Sequence, residues 1–148
     1  MSEDKEVDLS EATEREQQMF QGLRLYEKKV TAVYGLEVPL YSPSLGYAGR
    51  CDLVGEWEGV PAIVDYKTSR RPKRKEWITD YFLQSLGYAI AHNEVYETDI
   101  QLGVILIAVA DDIPQCFTID FREEGWAYDR LGERLAKFYR DYPGGKIK

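Results

Sequence analysis

Cysteine and histidine are scarce in this chain of 148 residues, which has only Cys51, Cys116 and His92. The two cysteines are far apart, so no CxxC spacing exists. A structural zinc site needs four such ligands at characteristic spacings, and the composition argues against one. It argues equally against a Cys–His catalytic pair. An iron–sulfur cluster held by four cysteines is excluded by the count alone.

Long apolar runs are also lacking, because no stretch approaches the ~18 residues that a membrane-spanning helix needs. Residues 1–16 contain seven acids and two bases, a local balance of −5. A secretory signal has a basic start and an apolar centre, and a transit peptide is rich in arginine and poor in acids. We therefore expect a cytoplasmic protein, bacterial or in a phage-infected host, that does not contact a membrane.

Apolar and aromatic residues are plentiful, at 44% and 13% of the chain. Such a composition is typical of a globular protein, and 148 residues suffice for one domain with a substantial core. We predict a flexible acidic tail at residues 1–9 and a single domain at residues 10–148.

Hydrophobic periodicity predicts an α/β protein with a mixed central sheet flanked by helices, in the order α-β-β-β-α-β-β-α. The near-continuous apolar run at residues 100–110 is typical of a strand covered on both faces. The predicted helices cover residues 10–34, 73–92 and 121–142, and the predicted strands cover residues 36–41, 47–57, 60–67, 100–110 and 115–121. In the closing helix, the residues expected to face inward are Trp126, Leu131, Leu135 and Phe138.

The strands at 47–57 and 60–67 read as a hairpin with a two-residue turn, Glu58-Gly59. In that register the numbers of paired residues sum to 117, so Asp52 faces Asp65. Strand alternation places Lys67 on the same face as Asp65. The opposite face is expected to join the core through Cys51, Leu53, Ala62, Val64 and Tyr66.

Two carboxylates in facing positions repel each other and destabilise a sheet unless a cation lies between them. The alternative is a surface hairpin whose wet face happens to carry Asp and Lys, since a single D-x-K is common. That alternative leaves the second aspartate unexplained, in strands otherwise well suited to burial. We favour a functional site at Asp52, Asp65 and Lys67.

A basic run follows the hairpin: residues 67–76 carry six bases and one acid, a local +5, although the whole chain has a net charge of −7. Local clusters of this kind contact nucleic-acid phosphates. The alternative is a solvated charge run that leads into a helix. The acidic remainder of the surface could limit non-specific binding or bind another protein. The candidate phosphate contacts are Arg70, Arg71, Lys73, Arg74 and Lys75.

Gln84 and Tyr88 lie four residues apart on the predicted helix, so they share a face, with Trp77 and Tyr81 beside them. The inward stripe of that helix is a different set, namely Ile78, Phe82, Ser85, Leu86 and Ala89. An amide and three aromatic rings suit a groove wall that contacts the backbone and bases of DNA. The alternative is an amphipathic edge that packs on another element.

The segments GRCD at 49–52 and IVDYKTS at 63–69, followed by Gln84 and Tyr88 in a Q-x-x-x-Y pattern, closely resemble the PD-(D/E)xK nuclease superfamily, in particular its RecB-like exonuclease branch. The resemblance covers roughly residues 37–110. It implies a restriction-endonuclease-like core and a DNA exonuclease that requires Mg²⁺ or Mn²⁺. The substrate would be single-stranded DNA or duplex ends, in phage or bacterial replication, recombination or repair.

The resemblance also implies roles for individual residues. Asp52 and Asp65 would bind the metal, with the Tyr66 carbonyl as a further ligand and Glu37 as a weak candidate. Lys67 would position the attacking water, with Gln84 and Tyr88 completing the catalytic set. Many RecB-like members also have a metal-binding histidine upstream, and no histidine precedes Asp52 here. The competing hypothesis is a DNA-binding accessory module of the same fold without turnover.

Overall fold

Five strands form one mixed sheet in the order β1-β2-β3-β4-β5, in a computed structural model that describes residues 17, 21, 24–26 and 28–141. Only β3 and β4 run parallel, and the other neighbouring pairs are antiparallel. The α/β class and the mixed sheet with flanking helices are as the sequence predicts. The predicted acidic tail lies outside the described residues.

The elements follow one another closely in the chain, with a short 3-10 helix at Lys75–Trp77 before the first long helix. Two helices lie within the continuous described range. The strands are β1 Val30–Ser42, β2 Tyr47–Trp57, β3 Val60–Ser69, β4 Leu102–Val109 and β5 Gln115–Asp120; the helices are α1 Thr79–Tyr96 and α2 Trp126–Asp141.

The β2–β3 hairpin has the predicted turn and register. Glu58 and Gly59 have φ values of 50° and 81°, and a two-residue hairpin turn of type I′ requires positive φ at both positions. Paired residues run from Trp57↔Val60 to Leu53↔Val64. This ladder fixes which residues of β3 face each side of the sheet.

The first predicted helix is too long. Gln17, Gln21, Arg24 and Leu25 are helical, and the rest of its first half lies outside the described residues. From Val30 onward the chain is strand, not helix, and β1 pairs with β2 along almost its whole length. Residues 30–42 are rich in β-branched and aromatic side chains, and pairing with β2 outweighs the helical spacing of Val30 and Tyr34. Tyr34, at the end of the predicted helix, is 55% exposed.

The second predicted helix starts later than expected. The segment at Lys75–Trp77 is 3-10, and Ile78 has φ −112° and ψ 27°, which breaks the helix before α1 begins at Thr79. Trp77 therefore does not continue the α1 face of Tyr81, Gln84 and Tyr88. The inward stripe is as predicted, because its five members are buried.

Both faces of the sheet are covered by apolar side chains. One cluster lies between the sheet and α1 and includes Ile63, and the other includes Val64 and Tyr66 on the opposite face. Leu53, Ala62, Val64 and Tyr66 share that opposite cluster as predicted, but Cys51 packs in the α1 cluster. The paired ladder of β2 with β3 stops at Leu53, so alternation along that ladder does not extend to Cys51.

The closing helix α2 lies against α1, where an ion pair of 2.6 Å joins Arg134 Nη1 to Asp80 Oδ1. Leu131, Leu135 and Phe138 are half-buried, whereas Trp126, predicted to face inward, is 40% exposed. Trp126 instead donates from its indole nitrogen to Glu124 at 2.7 Å. No helix in the described part of the chain is long and apolar enough to cross a membrane.

Candidate active site

Asp52 and Asp65 lie one step beyond the last regular pair of the hairpin, Leu53↔Val64. There the carboxylate of Asp52 replaces a ladder carbonyl, because its Oδ2 accepts a hydrogen bond of 2.8 Å from the backbone N–H of Tyr66. Asp65 is buried, with 3% of its surface exposed, while Asp52 is half-buried. The structure thus brings the two aspartates together as the register predicts.

Asp65 is held in an environment that does not suit a lone carboxylate. Its Oδ2 atom is buried and receives no hydrogen bond of good geometry, although Lys67 Nζ is 3.0 Å away as an ion pair. Burial and hydrogen bonding with Asp52 raise the pKa of Asp65 to about 7, and the charge of Lys67 opposes that rise. A carboxylate in such surroundings is stabilised by a proton or by a further cation.

Lys67 is fixed by three neighbours. Its ammonium forms the ion pair with Asp65 and donates to Gln84 Oε1 at 2.6 Å. It also lies 5.0 Å from the centre of the Tyr81 ring, which is a cation–π distance. Lys67 and Asp65 thus lie together on β3 as strand alternation predicts, and Gln84 joins them from α1 as the family resemblance implies.

Tyr88 extends this network. The Gln84 side chain hydrogen-bonds to its phenol, but burial and the nearby Asp65 charge are stronger and raise the pKa of Tyr88 to about 12. Its ring packs on β2 at Gly49, where an added Cβ would come within 2.7 Å of the ring carbon Cε1. Glycine at this position is what allows the α1 tyrosine to approach the strand that carries Asp52.

Glu37 does not join the aspartates. Its neighbours Leu36 and Val38 pair with Leu53 and Cys51, so the register sets Glu37 opposite Asp52. However, Glu37 is on β1, which lies on the other side of β2 from the strand that carries Asp65. Its backbone is left-handed, with φ 49°, and its side chain is exposed. Among the described residues, no three His, Cys, Asp or Glu side chains form a group that could hold a metal ion.

The five bases of the run are not equivalent in the structure. Arg74 pairs with Glu76 at 3.9 Å and Lys75 with Glu124 at 3.4 Å. Lys73 is half-buried, and its backbone N–H and carbonyl are held by Gln115 at 2.8 and 2.9 Å. Arg70 and Arg71 are exposed and form no ion pair within the described range. They are the bases best placed to receive a phosphate.

The two aromatic residues before Gln84 have different surroundings. Trp77 is 62% exposed, with the Arg74 guanidinium 5.3 Å from its ring centre. Tyr81 is half-buried against the core and lies under Lys67. Trp77 is therefore available for stacking on a base, while Tyr81 supports the lysine.

The donor set suits a hard divalent cation. Mg²⁺ prefers oxygen ligands and commonly binds through one or two carboxylates, keeping several waters. Asp52 and Asp65 supply two carboxylates, and the Oδ2 of Asp65 is a buried acceptor without a hydrogen bond. Two carboxylates, with no third acidic side chain grouped with them among the described residues, are within that mode of binding.

Sequence reasoning missed two supporting residues. Gly49 makes room for the Tyr88 ring, and the phenol of Tyr47 donates to the Gly87 carbonyl at 2.6 Å, which ties β2 to α1. The only signal for Gly49 was its spacing from Asp52 in the segment GRCD. No local pattern could have indicated Tyr47, because its partner lies 40 positions away.

The fold and the site together define a PD-(D/E)XK nuclease arrangement: a mixed sheet with paired aspartates and a lysine on neighbouring strands. The model of the PD-(D/E)XK nuclease superfamily matches residues 2–140 of this chain. The chain therefore belongs to the PD-(D/E)XK nuclease superfamily.

Individual relatives agree with this assignment. Mitochondrial genome maintenance exonuclease 1 from Homo sapiens is 36% identical over 90 residues, or 59% of this chain and 26% of that protein. The protein of the same name from Mus musculus is 34% identical over 58% of this chain and 26% of its own length. The chain thus spans about a quarter of the length of these curated relatives.

A solved structure shows the same fold. It is the crystal structure of a protein from Eubacterium rectale that is assigned as an exonuclease, with a TM-score of 0.57 and 14% identity. The match covers 89% of this chain and 54% of the other. At this level of identity the likeness concerns the fold alone.

Proposed function

We propose that this protein is a divalent-metal-dependent DNA exonuclease that hydrolyses phosphodiester bonds. The observation that supports this most strongly is the buried carboxylate of Asp65 beside the second carboxylate of Asp52. The Oδ2 of Asp65 has the Lys67 ion pair at 3.0 Å but no hydrogen bond of good geometry. A protein that used this fold only to bind DNA would have no need to keep two repelling carboxylates together.

Asp52 and Asp65 hold the cation in this proposal, with the carbonyl of Tyr66 as a further ligand. A bound Mg²⁺ or Mn²⁺ would polarise the scissile phosphate and acidify a coordinated water. The hydrogen bond from the Tyr66 N–H fixes the Asp52 carboxylate, so one ligand is already oriented.

Lys67 positions the attacking water and offsets negative charge that grows on the phosphate. An ammonium group has three donors. Gln84 accepts from one of them at 2.6 Å, and the ammonium forms an ion pair with Asp65 at 3.0 Å. In this proposal a remaining donor meets substrate or water. Gln84 and Tyr88 act by keeping the lysine in place.

DNA binds as a single strand or a duplex end, with phosphates attracted to Arg70 and Arg71 and a base stacked on Trp77. The setting we propose is phage or bacterial replication, recombination or repair. The curated relatives, by their name, maintain a mitochondrial genome. Processing of DNA ends is a reaction that all of these settings share. A protein partner would bind the acidic surface away from the basic run.

The test is incubation of the pure protein with end-labelled single-stranded and double-stranded DNA, with Mg²⁺, with Mn²⁺ and with chelator. We expect stepwise shortening from an end with either metal and none with chelator. Binding of DNA without cleavage under every condition would replace this proposal by a DNA-binding accessory role.

A further inference from the structure

A cavity of about 210 Å³ lies beside the candidate active site, between the start of β2, α1 and α2. Sites for whole small molecules usually measure roughly 300–1,000 Å³. This cavity is smaller than that range. It is the size for one ring-shaped group rather than a complete ligand.

The walls of the cavity suit a flat apolar group. Two tyrosine rings, Tyr47 and Tyr88, come from β2 and α1, and two leucine side chains, Leu131 and Leu135, come from α2. Gly87 contributes no side chain, and its carbonyl holds the Tyr47 phenol at 2.6 Å. The aromatic side is thus fixed to the main chain of α1, so the cavity is formed before any ligand arrives.

The cavity is continuous with the catalytic network through Gln84, which lines it and also accepts the hydrogen bond from Lys67. Because Oε1 of Gln84 accepts from the lysine and its amide also hydrogen-bonds to the Tyr88 phenol, one N–H donor remains for another group. A phosphate held at Lys67 would have its own or the adjoining base near this opening, because Gln84 contacts both Lys67 and the cavity. The group that enters the cavity should therefore belong to the same nucleic-acid strand.

The geometry points to this cavity as a pocket for one unstacked nucleobase, from a nucleotide that flanks the phosphate being cleaved. This inference rests on the proposed nuclease function and adds a base-binding subsite to it. The base stacks against the tyrosine rings and the leucines cover it, while the Gln84 amide can donate to its edge. Because a base in a duplex is stacked on both sides, the nucleotide must leave the helix to enter.

The experiment uses the full chain and end-labelled single-stranded DNA in which one nucleotide, at each position in turn, lacks its base. Single-turnover cleavage is measured bond by bond with Mn²⁺, and equilibrium affinity is measured for the same strands with chelator. Cleavage of one bond should fall about 5- to 150-fold when the base at a fixed offset is missing, which is the usual strength of base–aromatic stacking. Affinity should show the same position dependence.

Leu135→Trp fills the cavity from α2 without touching the carboxylates or the lysine. It should slow cleavage of intact DNA and remove the penalty for the missing base, because the two changes delete the same contact. Ala136→Trp is the matched control, since Ala136 is the next residue on the same helix and is exposed. That control should cleave intact DNA at the wild-type rate and keep the penalty for the missing base.

Equal cleavage and affinity at every abasic position would overturn the pocket, as would a penalty that persists unchanged in Leu135→Trp. Absence of cleavage with either metal would overturn the proposed nuclease function instead. In that case the affinity series still decides the pocket, because it needs neither metal nor turnover.

Discussion

The two ends of the β2–β3 hairpin differ in almost every respect. Near the turn, five consecutive residue pairs are regular, from Trp57↔Val60 to Leu53↔Val64, and most of their side chains are apolar and buried. Beyond that point the regular pairing ends, and the carboxylate of Asp52 accepts the hydrogen bond from the backbone N–H of Tyr66. The same two strands thus form a stable sheet at one end and a candidate reaction centre at the other.

The difference shows how the fold supports an unfavourable arrangement. A one-residue slip of register would move Asp65 and Lys67 to the opposite face. The apolar ladder opposes that slip, because the slip would also move the fully buried Ile63 out of the cluster that packs against α1. Stability from the regular end therefore holds together charges that would otherwise separate.

Removing the charge of Asp65 should have the largest effect. We expect Asp65→Asn to lower cleavage by at least ~10²-fold with the fold intact, because loss of a charged metal ligand removes several kcal/mol of transition-state stabilisation while keeping the volume. Glu58→Gln is the control, the same change at the turn of the same hairpin, and should cleave normally. Single-turnover rates report the result, and chelator-sensitive activity near wild type in Asp65→Asn would contradict the site.

Loss of the Asp65 proton makes the metal-free protein less stable as pH rises. The pKa of this acid is about 7 in the folded protein, against an ordinary value of 3.8, so between these values the folded state binds more protons than the unfolded state. The stabilising contribution is complete below pH 3.8 and disappears as pH rises to about 7. Its total is on the order of a few kcal/mol. Denaturant unfolding in chelator from pH 4 to 8 measures it.

Asp65→Asn separates this contribution from other titrations. The variant should lose that part of the decrease in the free energy of unfolding with rising pH. It should also be more stable than wild type at pH 8 without metal. Millimolar Mn²⁺ should raise the wild-type melting temperature and leave the variant unchanged, since bound ligand stabilises only the state that binds it. A wild-type melting temperature that does not change with Mn²⁺ would argue against a metal site.

Gln84→Ala should have an intermediate effect. It removes the acceptor 2.6 Å from Lys67 Nζ but leaves both carboxylates in place, so the lysine is less well positioned. We expect kcat to fall roughly 10-fold, in the range that misplacement of a catalytic group produces. Metal affinity should change little, and this distinguishes positioning from loss of a ligand. A fall in metal affinity equal to that of Asp65→Asn would refute the assigned role.

The hairpin was predictable because its signals are local. The turn Glu58-Gly59 and the alternation of β3 are enough to bring Asp52, Asp65 and Lys67 together. The start of β1 was not predictable in this way: Val30 and Tyr34 have helical spacing, and their strand conformation depends on pairing with β2, more than 20 residues away. Contacts distant in sequence override local periodicity there.

The candidate site shows the same division. A shared helix face predicted that Gln84 and Tyr88 lie together, but no spacing could show that Gln84 accepts from Lys67 or that Tyr88 packs on Gly49. The basic run likewise reads as uniform in the sequence. Its division into exposed arginines and ion-paired bases depends on Glu124, about 50 positions further along the chain.

The two exposed arginines, Arg70 and Arg71, lie directly after the end of β3 and test whether the basic run binds phosphate. Each phosphate contact contributes a slope of about 0.7 in log affinity against log salt for single strands. Changing Arg70 and Arg71 together to Ala should weaken DNA binding and reduce the slope by up to ~1.4. Cleavage at saturating DNA should change little, since this binding is the same in the ground and transition states.

The matched control changes Arg74 and Lys75 together to Ala. These bases already pair with Glu76 and Glu124, so the slope should fall less than in the first variant. Fluorescence-anisotropy titrations at several salt concentrations give both slopes. An unchanged slope in the Arg70 and Arg71 variant would mean that the basic run is a solvated surface.

The smallest effect is expected at the turn itself, which tests whether the two ends of the hairpin are separable. Gly59 has φ 81° and no atom within 4 Å of an added Cβ, so Gly59→Ala introduces backbone strain without a clash. We expect a loss of about 1 kcal/mol in the free energy of unfolding and an unchanged cleavage rate.

Gly125→Ala is the control, because Gly125 also has open space but no positive φ, and it should not destabilise. Gly59→Asn should recover part of the loss, since asparagine tolerates the left-handed region. A fall in cleavage by folded Gly59→Ala would show that the turn acts on the aspartates, and the separation of the two ends would then be wrong.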